Sequence, residues 1–173
     1  HPDFPNVSPA DFIPLAETTG LIRPIGQFVI RNALLHLHAM DNQSDTRYSL
    51  TINLSPRQLQ DETFIGFLRD QLVYFNIDPG RIILEITENS LMENNIRNEE
   101  KLEEIRKLGC LIAIDDFGTG FSSLSYLRRF AVDILKIDQA FIRRVPKDEA
   151  DSNLIRGIIN MSRELGIAVI AEG

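Results

Sequence analysis

Residues 111–124 read Leu-Ile-Ala-Ile-Asp-Asp-Phe-Gly-Thr-Gly-Phe-Ser-Ser-Leu, an apolar run followed by two adjacent acids and a loop that contains two glycines. A short apolar run of this kind is typical of a buried strand in a parallel sheet. Gly118 and Gly120 permit a tight loop, and the serines behind them are suited to cap a following helix. The stretch therefore predicts a strand, a loop and a short helix, with Asp115 and Asp116 at the carboxyl end of the strand.

The same arrangement recurs along the chain, because other apolar runs also end in polar residues and predicted helices separate them. The predicted strands are 49–54, 81–86, 111–115, 133–137 and 167–171. The predicted helices are 9–17, 25–40, 62–74, 97–108, 122–129 and 151–165. The polar residues at the strand ends are Asn53, Glu85 with Glu88, Asp115 with Asp116, Lys136 with Asp138, and Glu172. Alternating strands and helices predict one α/β domain with a mainly parallel sheet.

Two architectures fit this alternation: an open doubly wound sheet and a (β/α)8 barrel. An open sheet concentrates its site at one switch point, whereas all strand ends of a barrel converge on one mouth. Polar residues at the end of every predicted strand favour the barrel. Because a barrel needs eight strands and the sequence predicts five, we expect the chain to form part of one.

Composition limits the class of protein. The chain has 173 residues, a net charge of −7 and a single cysteine, Cys110. The acidic balance argues against a surface for a DNA or RNA polymer. One cysteine excludes an internal disulfide, and its place beside an apolar run predicts a buried, inert thiol. No signal peptide and no apolar run of about 20 residues are visible, so we expect a cytoplasmic domain, which a longer parent protein could still anchor to a membrane.

The acids at the strand ends predict a metal site. Asp115 and Asp116 repel each other unless a cation neutralises them, and oxygen ligands of this type suit Mg²⁺ or Mn²⁺. The apolar run before them favours a metal site over a helix cap or a solvated loop acid. Glu85 is a further ligand candidate. Glu88 fits a ligand, an anchor for a neighbouring loop or a helix start equally well, and Asn53 fits a ligand or a turn residue.

Lys136 and Asp138 lie two apart and therefore share one face of their strand. They fit a structural ion pair, or a site in which the lysine holds a water or a phosphate oxygen as a point charge. A different barrel enzyme, such as an aldolase or isomerase, would instead use Lys136 in a metal-free site. The loop 117–124 has neither a Walker lysine nor a G-x-G-x-x-G pattern, so binding of a nucleoside triphosphate is not expected.

Taken together, the motifs resemble the EAL domain family, the cyclic di-GMP phosphodiesterases of bacterial signalling. The residues that carry the resemblance are Ser8-Pro-Ala-Asp-Phe-Ile-Pro-Leu-Ala-Glu17, Asn53-Leu-Ser, Glu85-Ile-Thr-Glu88, Asp115-Asp-Phe-Gly-Thr-Gly-Phe-Ser-Ser-Leu124, Leu135-Lys-Ile-Asp138 and Ala171-Glu-Gly173. The resemblance implies a (β/α)8 barrel with one antiparallel strand. It also implies hydrolysis of cyclic di-GMP to linear pGpG, or binding without hydrolysis in a degenerate relative.

The resemblance assigns roles to these residues. Asn53, Glu85 and Asp115 would bind one Mg²⁺ or Mn²⁺, and Asp116 would bind a second ion that Asp115 also contacts. Lys136 would hold the attacking water, with Glu172 as a metal-site or base candidate and Asp138 on the substrate side. Glu88 would anchor the loop after the third strand, and that loop would couple homodimerisation to ligand binding. The loop residues concerned are Phe117, Gly118, Thr119, Gly120, Ser122 and Ser123.

The two ends of the chain depart from the family pattern. The Glu-Ala-Leu triplet that names the family is absent, and the chain opens at His1-Pro2, which follows that triplet in the family. The chain also stops at Gly173, before the last βα unit of the family. We therefore expect residues 1–173 to be a partial domain that lacks one metal ligand and is inactive alone. The longer parent would carry sensory or GGDEF-type domains.

Overall fold

A computed structural model of the chain describes residues 7–43, 45–92, 95–118, 127, 129–130, 132–143, 145 and 149–172. The strands are β1 (Leu50–Asn53), β2 (Ile82–Thr87), β3 (Leu111–Phe117), β4 (Ile134–Ile137) and β5 (Ala168–Ala171). The helices are α1 (Pro9–Thr19), α2 (Ile22–Asp41), α3 (Pro56–Leu59), α4 (Phe64–Phe75), α5 (Glu88–Met92), α6 (Asn95–Leu108), α7 (Gln139–Ile142) and α8 (Glu149–Glu164), with a 3-10 turn at Pro79–Arg81.

The strands form one sheet in the order β1-β2-β3-β4-β5, and all four neighbouring pairs are parallel. A doubly wound sheet reverses its strand order at a switch point, whereas a barrel adds each strand beside the previous one. The sequential order therefore excludes the doubly wound alternative for the described strands and confirms barrel architecture. The antiparallel strand that the resemblance implies is not among these five strands.

The two faces of the sheet differ in chemistry because strand side chains alternate. One face of the central strands is apolar and at most 3% exposed, with Ile82, Leu84, Ile86, Ile112, Ile114, Leu135 and Ile137. Helix residues such as Leu34, Leu68 and Leu102 join them in one core cluster. The opposite face carries Glu85, Asp115 and Lys136. The core therefore lies between the sheet and the helices, and the other face is left to the polar site.

Helix boundaries follow local sequence signals. Ser8 and Asp11 form the predicted capping box of α1, with a bond of 2.9 Å from the Ser8 N–H to Asp11 Oδ2. Gly20 ends α1 with a φ of 79°, a left-handed conformation that suits glycine. The long predicted helices are all confirmed within a few residues of their expected ends. The predicted helix 122–129 lies largely outside the described residues.

The sequence did not predict α3 and α7, each of four residues. One turn is too short to show helical periodicity, which needs a longer window. Their capping residues were the available signal, since Ser55 and Asp138 accept backbone N–H bonds at the start of these turns.

Among the described helices, none is both long enough and apolar enough to span a lipid bilayer.

Candidate functional site

The polar residues of the strand ends meet at one edge of the sheet. In the strand register, Asn53 lies opposite Glu85, and Thr87 lies opposite Asp115. Glu172 follows β5 directly, and its N–H donates to the carbonyl oxygen of Ile137 at 3.1 Å. Since the strands are parallel, their carboxyl ends share this edge, which corresponds to the mouth of a barrel. Asn53 is exposed there, beside the less accessible Glu85.

Lys136 lies at the centre of the carboxylates. Its Nζ is 2.7 Å from Glu85 Oε1, 3.0 Å from Asp115 Oδ1 and 2.5 Å from Glu172 Oε1. The lysine side chain is only 13% exposed. Within the described residues, the ion pairs of Lys136 are with these three acids rather than with Asp138, the partner that a local structural pair would require.

The surroundings of Lys136 keep it charged. Burial on its own would lower the pKa of the ammonium group, but the hydrogen bonds that it donates to Glu172, Glu85 and Asp115 outweigh burial, and the pKa is raised above its usual value. A lysine can act as a nucleophile or form a Schiff base only when its amine is neutral. The environment of Lys136 therefore suits a fixed positive charge and a hydrogen-bond donor.

Asp115 and Asp116 lie at a bulge in β3. Ile114 pairs with Leu135 and Phe117 pairs with Ile137, so two residues of β3 face the single residue Lys136 of β4. A bulge of this kind bends the strand and redirects a side chain. Asp116 adopts a φ of 56°, and its N–H donates to Asp115 Oδ1 at 3.1 Å.

This geometry corrects the prediction that β3 ends at Asp115. The strand continues to Phe117, and the bulge, rather than the end of strand pairing, lets two consecutive carboxylates reach the same edge. The left-handed conformation that this requires is one that aspartate tolerates better than most residues. The sequence motif therefore encodes a bulge with two acids at its apex.

The acids form a cluster with excess negative charge. Asp115, Asp116 and Glu172 each offer a carboxylate oxygen within 4.8 Å of the other two. Burial raises the pKa of Asp116, and repulsion by Asp115, Asp138 and Glu172 raises it further, against the opposing effect of Lys136. One lysine does not balance this many carboxylates. The oxygen donors and the unbalanced charge fit a hard divalent cation such as Mg²⁺ or Mn²⁺.

Glu88 holds the segment that follows the bulge. It is the first residue of α5 and 7% exposed, and its Oε2 accepts the N–H of Gly118 at 3.1 Å. The sequence left three roles open for Glu88. Its contact with Gly118 matches the loop anchor, and its position in α5 matches the start of a helix. Phe117, the last residue of β3, is buried in the hydrophobic core. Four residues predicted for this loop, Thr119, Gly120, Ser122 and Ser123, lie outside the described residues.

Asp138 begins α7. Its Oδ1 accepts the N–H of Ala140 at 2.7 Å, which caps the turn. Asp138 also contributes to the raised pKa of Asp116, so its charge acts on the acidic cluster. The structure thus places Asp138 beside the site with a structural role, and the predicted substrate contact stays a prediction.

Comparison with known proteins shows the family to which this chain belongs. The curated protein y4lL of Sinorhizobium fredii is 42% identical over 173 residues, which cover 100% of this chain and 20% of y4lL. MucR of Pseudomonas aeruginosa, named a bifunctional diguanylate cyclase/cyclic di-GMP phosphodiesterase, is 35% identical over 173 residues, or 100% of this chain and 25% of MucR. The chain therefore spans a quarter or less of these two relatives.

A solved structure of the PaMucR phosphodiesterase in a c-di-GMP complex has the same fold, with a TM-score of 0.89 and 35% sequence identity. The similarity covers 96% of this chain and 68% of the solved chain. The family model described as the EAL domain matches residues 1–173. A match over the whole chain, together with a cluster of strand-end acids in a barrel-like sheet, shows that the chain belongs to the EAL domain family.

Proposed function

We propose that this chain is the catalytic part of a phosphodiesterase that hydrolyses cyclic di-GMP to linear pGpG. The observation that carries the proposal is the bulge at Asp115 and Asp116, whose acids share the mouth with Glu85, Glu172 and the charged Lys136. A c-di-GMP complex of the PaMucR phosphodiesterase, which is 35% identical, supports the choice of substrate.

The donor set indicates which residues would hold the metal ions. Asn53, Glu85 and Asp115 would hold one Mg²⁺ or Mn²⁺, and Asp116 would hold a second ion beside the shared Asp115. Two divalent ions in such a site lower the pKa of a water and neutralise charge on a scissile phosphate. The acidic cluster supports this assignment, because it has carboxylates in excess of its one described lysine.

The side chains of the chain itself supply the orientation and the proton acceptor. Lys136 keeps three carboxylates together and can donate a hydrogen bond to a water or to a phosphate oxygen. Glu172 is 30% exposed, so a water at the mouth can reach it, and it is the candidate base. In the reaction the water oxygen bonds to phosphorus and the bond from phosphorus to the 3′-oxygen breaks. The proton of the water passes to Glu172, and the leaving 3′-oxygen takes up a proton from solvent at the open mouth.

The raised pKa of Lys136 argues against the aldolase-like alternative, which needs a neutral lysine amine. The alternative within the family is a module that binds cyclic di-GMP without hydrolysis. The acids that the resemblance assigns to the metals favour the enzyme, because a degenerate module would be expected to have lost some of them.

We also propose that the chain works within a homodimer, in a longer protein with a sensory or GGDEF-type domain, and that the loop beginning at Phe117 couples dimerisation to the site. Support comes from MucR, whose name combines a diguanylate cyclase with a phosphodiesterase. Light scattering of the full-length protein tests the dimer, and a monomer that retains full turnover would contradict the coupling.

An assay of the full-length protein separates the enzyme from the binding module. Cyclic di-GMP is incubated with the protein and Mn²⁺ or Mg²⁺, and pGpG is followed by chromatography. We expect pGpG from the wild type, none from Asp115→Asn, and full yield from Asp70→Asn, a control at an exposed acid of α4. Binding without turnover would support the module instead, and the absence of both binding and turnover would refute both functions.

A further inference from the structure

Gly118 contacts two side chains that come from different parts of the fold. Oε2 of Glu88 accepts the Gly118 N–H at 3.1 Å. The ring of Phe141 is also close: a Cβ placed on Gly118 would be 2.9, 3.2 and 3.6 Å from three atoms of this ring, which are the three heavy atoms nearest to it. Gly118 also has a φ of 100°, so both its conformation and its surroundings require glycine.

The position of Phe141 is itself fixed by the turn α7. Asp138 caps this turn, and the N–H of Phe141 donates to the carbonyl oxygen of Asp138 at 3.1 Å. The ring is partly buried and packs against the hydrophobic core. A four-residue turn with no fully buried residue therefore holds one aromatic ring against the segment that leaves the bulge.

The contact matters because of what lies two residues before Gly118. Asp116 has a φ of 56°, a left-handed conformation that is uncommon even for aspartate, so contacts around it should help to maintain it. The segment after it is fixed in three ways: Phe117 is buried opposite Ile137, Glu88 binds the Gly118 N–H, and Phe141 packs on Gly118. Loss of the ring would remove one of these three restraints, and the backbone of Asp116 could then relax to a commoner conformation.

We propose that Phe141 is a positioning residue: through Gly118 it holds the Asp116 carboxylate in the orientation that binds the second divalent ion. The inference rests on the proposed function for the role of that ion. Phe141 acts through the backbone and is not assigned a contact with substrate or metal. Partners of this indirect kind typically change metal affinity or activity by about 10- to 100-fold when they are removed.

The first experiment measures how firmly the backbone at Gly118 is held, without metal or substrate. Amide hydrogen exchange of Gly118 is measured by NMR in the metal-free, full-length protein for the wild type, Phe141→Ala and Ile142→Ala. Ile142 is the matched control, because it belongs to the same turn and also packs against the core. We expect faster exchange at Gly118 in Phe141→Ala only. Equal exchange rates in all three proteins would overturn the proposed contact, whatever the activity of the protein.

The second experiment counts bound Mn²⁺ by calorimetric titration of the same three proteins. In Phe141→Ala we expect the weaker of two binding steps to lose about 10- to 100-fold in affinity while the other is retained. Two unchanged binding steps in Phe141→Ala would overturn the inference. A wild type that binds no Mn²⁺ would refute the metal assignment of the proposed function, and the exchange measurement would still decide whether Phe141 holds Gly118.

A double-mutant cycle tests whether the Phe141 ring acts through its contact with Gly118. Gly118→Ala should slow turnover because of both its positive φ and the approach of the ring, and Phe141→Ala removes only the second of these. The loss caused by Gly118→Ala should therefore be smaller in the Phe141→Ala background than in the wild type. Fully additive losses would contradict a direct contact between the two residues.

Discussion

The Nζ of Lys136 lies 2.7 Å from Oε1 of Glu85, although β3 separates the two strands that carry them. The two residues share one face of the sheet, and the residue of β3 opposite Glu85 is the small Ala113, which leaves room above the strand. Asp115, farther along β3, joins the same ammonium group at 3.0 Å. A single lysine therefore links β2, β3 and the end of β5 at the edge where the site forms.

This link predicts that Lys136 stabilises the metal-free protein. Replacement by methionine leaves Glu85, Asp115 and Glu172 close together without their cation, and we expect a loss of about 3 kcal/mol in the free energy of unfolding. The value is at the low end for a buried ion pair because the mouth is open to water. Since a divalent cation can replace the lost charge, added Mn²⁺ should restore more stability to Lys136→Met than to the wild type.

Urea unfolding in EDTA and in Mn²⁺ measures this effect. The control is Lys107→Met, since Lys107 is 71% exposed and its nearest described acid, Glu103, is 3.9 Å away on the same helix. An exposed pair of this kind contributes less than about 1 kcal/mol. Equal losses for the two variants would show that Lys136 does not hold the cluster together.

Because the apolar face of the sheet is buried, truncation of a side chain at its centre should reduce stability strongly. Leu135 in β4 is 0% exposed and belongs to the core cluster, so Leu135→Ala should reduce the free energy of unfolding by about 3 kcal/mol. Leu154 in α8 is 47% exposed, and Leu154→Ala should change stability by less than about 0.5 kcal/mol. Urea unfolding of both variants tests the placement of the core, and a reversed order of losses would refute it.

An ion pair between Asp41 and Arg81 lies at the opposite end of the sheet. It predicts that the stability of the protein depends on pH. The guanidinium binds both carboxylate oxygens, at 2.6 and 2.7 Å, and lowers the pKa of Asp41 below its ordinary value of 3.8. A group whose folded-state pKa is lowered stabilises the fold above its unfolded pKa, and this stability is lost as the pH falls through the folded-state pKa.

Asp41→Asn should therefore be less stable than the wild type at neutral pH, and the difference should shrink as the pH falls below 3.8. Urea unfolding at neutral pH and at about pH 3 compares the two proteins. Asp70→Asn, at an exposed acid of α4, is the control and should behave like the wild type at both pH values. A difference between Asp41→Asn and wild type that does not change with pH would contradict the ion pair.

Cys110 predicts a protected thiol. The side chain is 2% exposed, and burial raises the pKa of the thiol to about 11. Because the thiolate is the reactive form, a thiol reagent should label the native protein slowly at neutral pH and the urea-unfolded protein rapidly. Rapid labelling of the native protein would mean that the segment before β3 is open to solvent.

Periodicity and turn residues were sufficient to predict most of the fold. The apolar runs before Asn53, Glu85, Asp115, Lys136 and Glu172 became strands, because apolar runs bounded by turn signals are the pattern of buried parallel strands. From sequence alone, only the polar residues at the strand ends favoured a barrel over an open sheet. The pairing order resolved it, since the neighbours of each strand are a tertiary property.

The finer geometry of the site was not predictable in this way. A bulge depends on a register shift between β3 and β4, and no periodicity in the chain reports it. Lys136 has Asp138 as its nearest opposite charge in sequence, yet its partners come from three other segments. Phe141 was missed because its turn is four residues long, and its contact with Gly118 joins residues from either side of the loop.

Anomalous X-ray diffraction from Mn²⁺-soaked crystals of the full-length protein would show whether the strand-end acids bind two divalent ions, as we propose. We expect one anomalous peak among Asn53, Glu85 and Asp115, and a second on Asp116 that disappears in crystals of Asp116→Asn. Crystals that show no peak at the carboxyl edge of the sheet, or only peaks at acids elsewhere on the surface, would refute the two-ion site.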